Sequence, residues 1–151
     1  GQAQLVVCSI SPVARAALAA HAGLGVLEAF GRLSGFFRTL GCHHILDCGL
    51  ASDLCLQQAA AEFVERFRAN ASDRKAAPLP VLSSSCPGWV CYAEKVQGAA
   101  VLPLLSRVKS PQQVAGTLVK YHLAARLSVA PERTFHVTVM PCFDKKLEAS
   151  R

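Results

Sequence analysis

Two junctions of the same build constrain this chain most. Ser83-Ser84-Ser85-Cys86-Pro87-Gly88-Trp89-Val90 and Val139-Met140-Pro141-Cys142-Phe143-Asp144-Lys145-Lys146-Leu147-Glu148 each read as a strand end, a cysteine and the first turn of a helix. In an open α/β sheet, ligands bind in the crevice outside the carboxyl ends of the strands, where such a cysteine lies. The N–H groups of the following helical turn face that position, and the helix dipole favours a thiolate. Thiolate is the form that binds iron or zinc. Cys86 and Cys142 are 142 − 86 = 56 positions apart, so only folding can unite them. Their shared context predicts two ligands of one soft-metal site. Against that stands the plainer reading of each as an inert core cysteine.

The remaining sequence supplies the alternation of strands and helices that such a crevice needs. Gln4 to Ile10 is β-rich, and alanine-rich Pro12 to Ala22 reads as a short helix. Leu27, Phe30, Leu33, Phe37 and Leu40 recur at helical spacing, with Gly41 in the C′ position. Cys42 to Cys48 reads as a buried strand, and Ser52 as the N-cap of the next helix. In that helix Leu56, Ala59, Phe63 and Phe67 form the apolar face, and Glu62, Glu65, Arg66 and Arg68 the polar one. Polar Ala69 to Ala77 is a loop, and Leu79 to Ser83 a third strand. Pro87 opens a helix to about Gln97. Val101 to Lys109 carries no assignable pattern. Ser110-Pro111-Gln112-Gln113 is a helix start, with an N-cap serine and a capping-box glutamine. Val114, Leu118, Tyr121 and Ala125 form that helix's stripe, and Thr134 to Met140 is a fourth strand. The expected fold is α/β: a mostly parallel four-stranded sheet flanked by helices, with right-handed crossovers.

Composition excludes several function classes. At 151 residues and 52% apolar, the chain is long and hydrophobic enough for one ordered domain. No apolar run approaches the ~18 residues of a membrane span, and residues 1–10 lack a secretory signal. Seven cysteines is an odd number in a chain with no mark of secretion, which argues a reduced compartment. The net charge of +6 is spread singly, with no basic block longer than Lys145-Lys146, so it reads as a solvated surface and not a nucleic-acid patch. Cys42, His43, His44, Cys48 and Cys55 crowd together, yet their spacing matches no zinc pattern, and packing is the favoured reading. Gly23-x-Gly25 is followed by Glu28 and is not a dinucleotide fingerprint, and no P-loop or nucleophile-elbow motif occurs.

Cys86-Pro87-Gly88-Trp89 resembles the first active-site motif of iron-only hydrogenases. Met140-Pro141-Cys142, with Lys145 and Glu148, resembles the second. The wording Cys86 through Lys95, Ser110-Pro111-Gln112-Gln113 and Asp144 through Arg151 is more similar still to the hydrogenase-like proteins of eukaryotes. That group has a cytosolic iron–sulfur assembly branch, of the narfl type, and a nuclear branch that recognises prelamin A. The resemblance runs over the whole chain and implies that residues 1–151 are a single lobe of a hydrogenase-like domain, truncated at both ends. It implies a cubane 4Fe-4S cluster on four cysteines, with Cys86 and Cys142 matching the first two and the others in a later motif that this sequence does not contain. It implies a role in maturing cytosolic and nuclear iron–sulfur proteins, in the cytoplasm, with the nucleus as a second location. The implied partners are other assembly proteins, including a late targeting complex, or prelamin A on the alternative branch; neither nucleic acid nor membrane is expected. A metal-free truncated form is the third alternative. Ser85 stands where the hydrogenases carry a proton-relaying cysteine, so no hydrogenase activity is expected. Lys145 and Glu148 match groups at the hydrogenase diiron centre and proton path; here they are expected to hydrogen-bond near the cluster or to pair with each other.

Overall fold

In the computed structural model, which describes residues 4–150, the sheet is built on β1, Leu5–Ile10. Its sequence, LVVCSI, is apolar almost throughout because both faces are covered, as parallel α/β strands require. Helices α1 (Pro12–Ala22) and α2 (Val26–Thr39) lead to β2, His44–Asp47. Helix α3 (Gly49–Ser72) comes next, then α4 (Pro87–Tyr92), α5 (Pro111–Thr117) and α6 (Ala124–Arg126). Strand β3, Thr134–Val139, precedes α7, Lys145–Ala149. The strand order is β2-β1-β3, and both pairings are parallel, with Cys8 opposite Ile45 on one side and Val137 on the other. Three strands flanked by helices bear out the α/β reading. The expected third strand is absent among the described residues: Leu79 to Ser83 forms only a single bridge, Leu82 to Leu105. Pro78 and Pro80 explain this, since proline has no N–H to give to a ladder.

The described chain divides into two compact units. The first contains residues up to Ala51 and Val114–Phe143. Its core has two clusters. Leu5, Val7, Val119 and Ala124 form one, and Cys48, Ala51 and Ala115, with Val114 and Met140 packed on them, form the other. Ser11 caps α1, its hydroxyl accepting from the Ala14 N–H at 3.0 Å. The helix from Pro111 does not carry the expected stripe. Ala115, Val119 and Ala124 are buried, while Tyr121 and Ala125 are exposed. A π-helical segment, Leu118–Leu123, separates α5 from α6; it adds a residue to the turn and rotates the helix beyond it.

The second unit contains Ser52–Gln113 and the segment from Asp144. Three local expectations change along α3. It begins at Gly49, ahead of Ser52, because the Asp47 carboxylate accepts from the Gly49 N–H at 2.8 Å. It runs to Ser72, through the first part of the expected loop. Its facing also departs from the amphipathic reading, although Glu65 and Arg68 are exposed as expected. Glu62 and Arg66 are buried, with side chains 8% and 9% exposed, whereas Phe63 and Phe67 are 49% and 60% exposed. The buried pair meets at 2.8 Å. Glu62 also accepts from the Ser106 hydroxyl at 2.5 Å and the Arg107 N–H at 3.1 Å. Arg66 donates to the carbonyls of Pro103 and Leu105 at 3.2 and 2.7 Å. The stretch that carried no pattern, Val101 to Lys109, is held on this pair. Burial pushes the Glu62 carboxyl up, but the donors from Ser106, Arg107 and Arg66 outweigh it and hold it below the ordinary range.

Candidate metal centre

Cys142 lies in the first unit, three residues beyond the end of β3. The chain leaves β1 toward β2 on one side and returns to β3 on the other, so the carboxyl ends of β1 and β3 flank the topological switch point. There the Ser11 N–H donates to the Val139 carbonyl at 3.0 Å. Met140, two residues before the cysteine, is anchored on Cys48, Ala51 and Ala115. Cys142 itself is half-buried.

Cys86 lies in the second unit and is exposed, as the N-cap residue of α4. Proline stands next at N1, as the sequence predicts, and the helical path continues through a π turn to Gln97. The Cys86 N–H donates to Ser84 Oγ at 3.1 Å. On the other side of the same peptide, the Ser85 carbonyl accepts from Lys145 Nζ at 2.5 Å. Lys145 also pairs with Glu148 Oε2 at 2.8 Å, and both side chains are only 14% exposed. Glu148 Oε1 accepts from the Ser110 hydroxyl at 2.5 Å. The amide of Gln112 donates to the Lys145 carbonyl at 3.1 Å, and that of Gln113 to the Glu148 carbonyl at 2.9 Å. Gly88 completes the surroundings. A Cβ there would stand 2.7 Å from Asp144 Oδ2 and 3.7 Å from Cys86 Sγ, so the glycine allows the close approach of the Asp144 carboxylate beside the thiol.

These thiols suit an iron–sulfur cluster by donor chemistry. Among the described residues no group of three or more His, Cys, Asp and Glu side chains could hold a metal ion alone. The residues of the Cys42–Cys55 stretch have other contacts. Cys48 is buried, His43 Nδ1 accepts from the Val6 N–H at 2.9 Å, and Cys55 donates to the Lys109 carbonyl at 3.2 Å. Burial, with the nearby Cys42 and Cys48 thiols, pushes the Cys8 thiol up to about 11, as befits a core residue. Burial also lowers His136, assisted by Lys120, and its Nε2 meets Ser9 Oγ at 2.8 Å. The Lys145–Glu148 pair was legible from its spacing. The Ser110–Glu148 and Gln113–Glu148 contacts were not, because the partners lie 38 and 35 residues apart.

The model of the iron-only hydrogenase large subunit, C-terminal domain, matches residues 4–151. The chain belongs to this family. It is 49% identical over 98% of its length to the cytosolic Fe-S cluster assembly factor narfl of Danio rerio. It is 50% identical over its whole length to cytosolic iron-sulfur assembly component 3 of Mus musculus. It spans 36% and 31% of those two curated relatives, about a third of each. Among solved structures, a variant of the [FeFe]-hydrogenase HydA1 from Chlamydomonas reinhardtii covers 97% of the chain at 30% identity and a TM-score of 0.83. The chain covers 35% of that hydrogenase. The hydrogenase-like architecture expected from the two cysteine motifs is thus borne out.

Proposed function

We propose that this chain is part of a cytosolic iron–sulfur assembly factor, in which Cys86 and Cys142 supply two of the four thiolates of a 4Fe-4S cluster. The observation that carries this reading is identity of about half, over nearly the entire chain, to proteins named as cytosolic assembly factors. Identity to the hydrogenase is lower, at 30%. Ser85 in the position before Cys86 supports the same side, because a serine hydroxyl does not relay protons at neutral pH as a thiol does. The proposed working site is the cytoplasm, and the proposed partners are other proteins of the assembly machinery, a late targeting complex among them. The cluster, when bound, would supply electron transfer or transferable iron and sulfide. The residues here hold it, and no hydrogenase turnover is assigned to them.

The test is iron and sulfide per chain in the full-length gene product after anaerobic reconstitution. Cys86→Ala and Cys142→Ala should each abolish or strongly reduce the iron and the visible absorbance. The double variant should be little worse than either single, since one lost thiolate already opens the shell. Cys8→Ala and Cys48→Ala should retain iron, because both are core residues. Full iron in correctly folded Cys86→Ala and Cys142→Ala would refute the ligand assignment. Hydrogen evolution above a buffer control would refute the exclusion of hydrogenase chemistry.

A further inference from the structure

We propose that Lys145 is the positioning residue of Cys86, acting through the Ser85–Cys86 peptide; this rests on the reading of Cys86 as a cluster ligand. A trans peptide is a rigid plane, so fixing its oxygen and its N–H fixes its orientation. Both ends of this plane are held. Lys145 Nζ takes the Ser85 oxygen at 2.5 Å, and Ser84 Oγ takes the Cys86 N–H at 3.1 Å. The plane leads directly into the Cys86 backbone, at φ −87° and ψ 114°, and so sets the direction of its Cα–Cβ bond. An exposed thiol on an untethered turn would sample many directions, and a cluster ligand must keep one.

Lysine is ordinarily a poor tether, because its four-carbon stem is flexible and its ammonium strongly hydrated. Here the ammonium is constrained. Glu148 Oε2 holds it at 2.8 Å, the pair is 14% exposed on each side, and Ser110 fixes the other carboxylate oxygen. The backbone carbonyls of Lys145 and Glu148 are held by Gln112 and Gln113. A continuous relay of contacts therefore runs from Ser110 through Glu148 and Lys145 to Ser85, ending at the amide of Cys86. This differs from a surface ion pair, which would be mobile and screened. Gly88 lets the Asp144 carboxylate approach α4 beside this tether, which brings the start of α7 against the turn that carries Cys86.

The experiment uses the full-length gene product with Lys145→Met, Lys145→Arg and Cys86→Ala. Three quantities are read: hydrogen exchange of the Cys86 amide in the cluster-free protein, iron per chain after reconstitution and desalting, and the cluster's reduction potential. Lys145→Met should speed exchange at Cys86 several-fold, lower retained iron at least two-fold and move the potential negative, since a cation beside the ligand turn is lost. Lys145→Arg retains a cationic donor and should restore most of each. If Lys145→Met matches the wild type in exchange, iron and potential while Cys86→Ala loses its iron, the positioning role is refuted and the ligand reading stands. If Cys86→Ala keeps full iron, the ligand reading falls and the proposal with it. Should Lys145→Met not fold, Glu148→Gln is read the same way; it removes the counter-charge that holds Lys145 and keeps the side-chain size. Unchanged exchange and iron in that variant would likewise overturn the proposal.

Discussion

Glu62→Gln isolates what the inward-facing charges of α3 contribute. The substitution keeps the side chain's size and an acceptor for Ser106, but removes the charge opposite Arg66. That guanidinium is 9% exposed, so water cannot replace the lost carboxylate. Removing one member of a buried ion pair costs about 3–5 kcal/mol, because the other charge stays buried without a counter-ion. Arg66 keeps two carbonyl acceptors, on Pro103 and Leu105, which places the expected cost at the lower end, about 3 kcal/mol. The Arg107 side chain stands 3.8 Å from Glu62 but is 76% exposed, and adds little. For a chain of this size the cost corresponds to a fall of roughly 6–12 °C in Tm. The assay is thermal unfolding by circular dichroism, joined to hydrogen exchange at the Arg107 amide, whose acceptor is Glu62 Oε1. Arg66→Met should cost a similar amount. The double variant should cost less than the sum of the singles by more than ~1 kcal/mol, because an uncharged pair leaves no orphan charge. The sign with pH is also set. Glu62 titrates below its ordinary value of 4.5, so its contribution is complete above that pH and is lost as pH falls below it. Singles costing under ~0.5 kcal/mol, strict additivity and unchanged exchange at Arg107 would refute this reasoning.

Two groups of the first unit set further pH dependences. Cys8 is neutral in the fold and raised from 9.0 to about 11, so stability should be complete below about pH 9 and decline by at most about 2–3 kcal/mol as pH rises toward 11. Chemical denaturation under reductant, compared with Cys8→Ala, checks this; an alkaline decline that survives in the variant would assign it elsewhere. His136 is lowered from 6.5, so the unfolded chain takes up its proton first, and stability should begin to fall as pH drops through 6.5. An imidazole titration of His136 at or above 6.5 by NMR would contradict the half-buried Ser9–His136 contact.

Much of the fold was legible because it is written in short-range patterns. The apolar run of β1, the serine and proline at the starts of α1 and α5, and the Gly41 just past α2 at φ +93° are decided within a few residues. The missing strand was also legible in principle, since Pro78 and Pro80 remove donors from the same edge. The two cysteine motifs named the family for the same reason: each is a contiguous string.

Which way a helix faces is not written locally. In α3 the apolar stripe of Leu56, Phe63 and Phe67 argued for burial of that face, and the structure leaves those three exposed and buries Glu62 and Arg66 instead. The deciding partners, Ser106 and Arg107, lie 44 and 45 residues beyond Glu62, in a stretch without any pattern of its own. A charge can turn inward only where several donors and acceptors converge on it, and that convergence exists only once the chain has folded. The same holds at the candidate site. The sequence alone determined that Cys86, Cys142, Lys145 and Glu148 are present in the family's order. Only tertiary structure decided that Lys145 spends its charge on the Ser85 carbonyl and Glu148, because a contact across 60 residues depends on chain path and not on spacing.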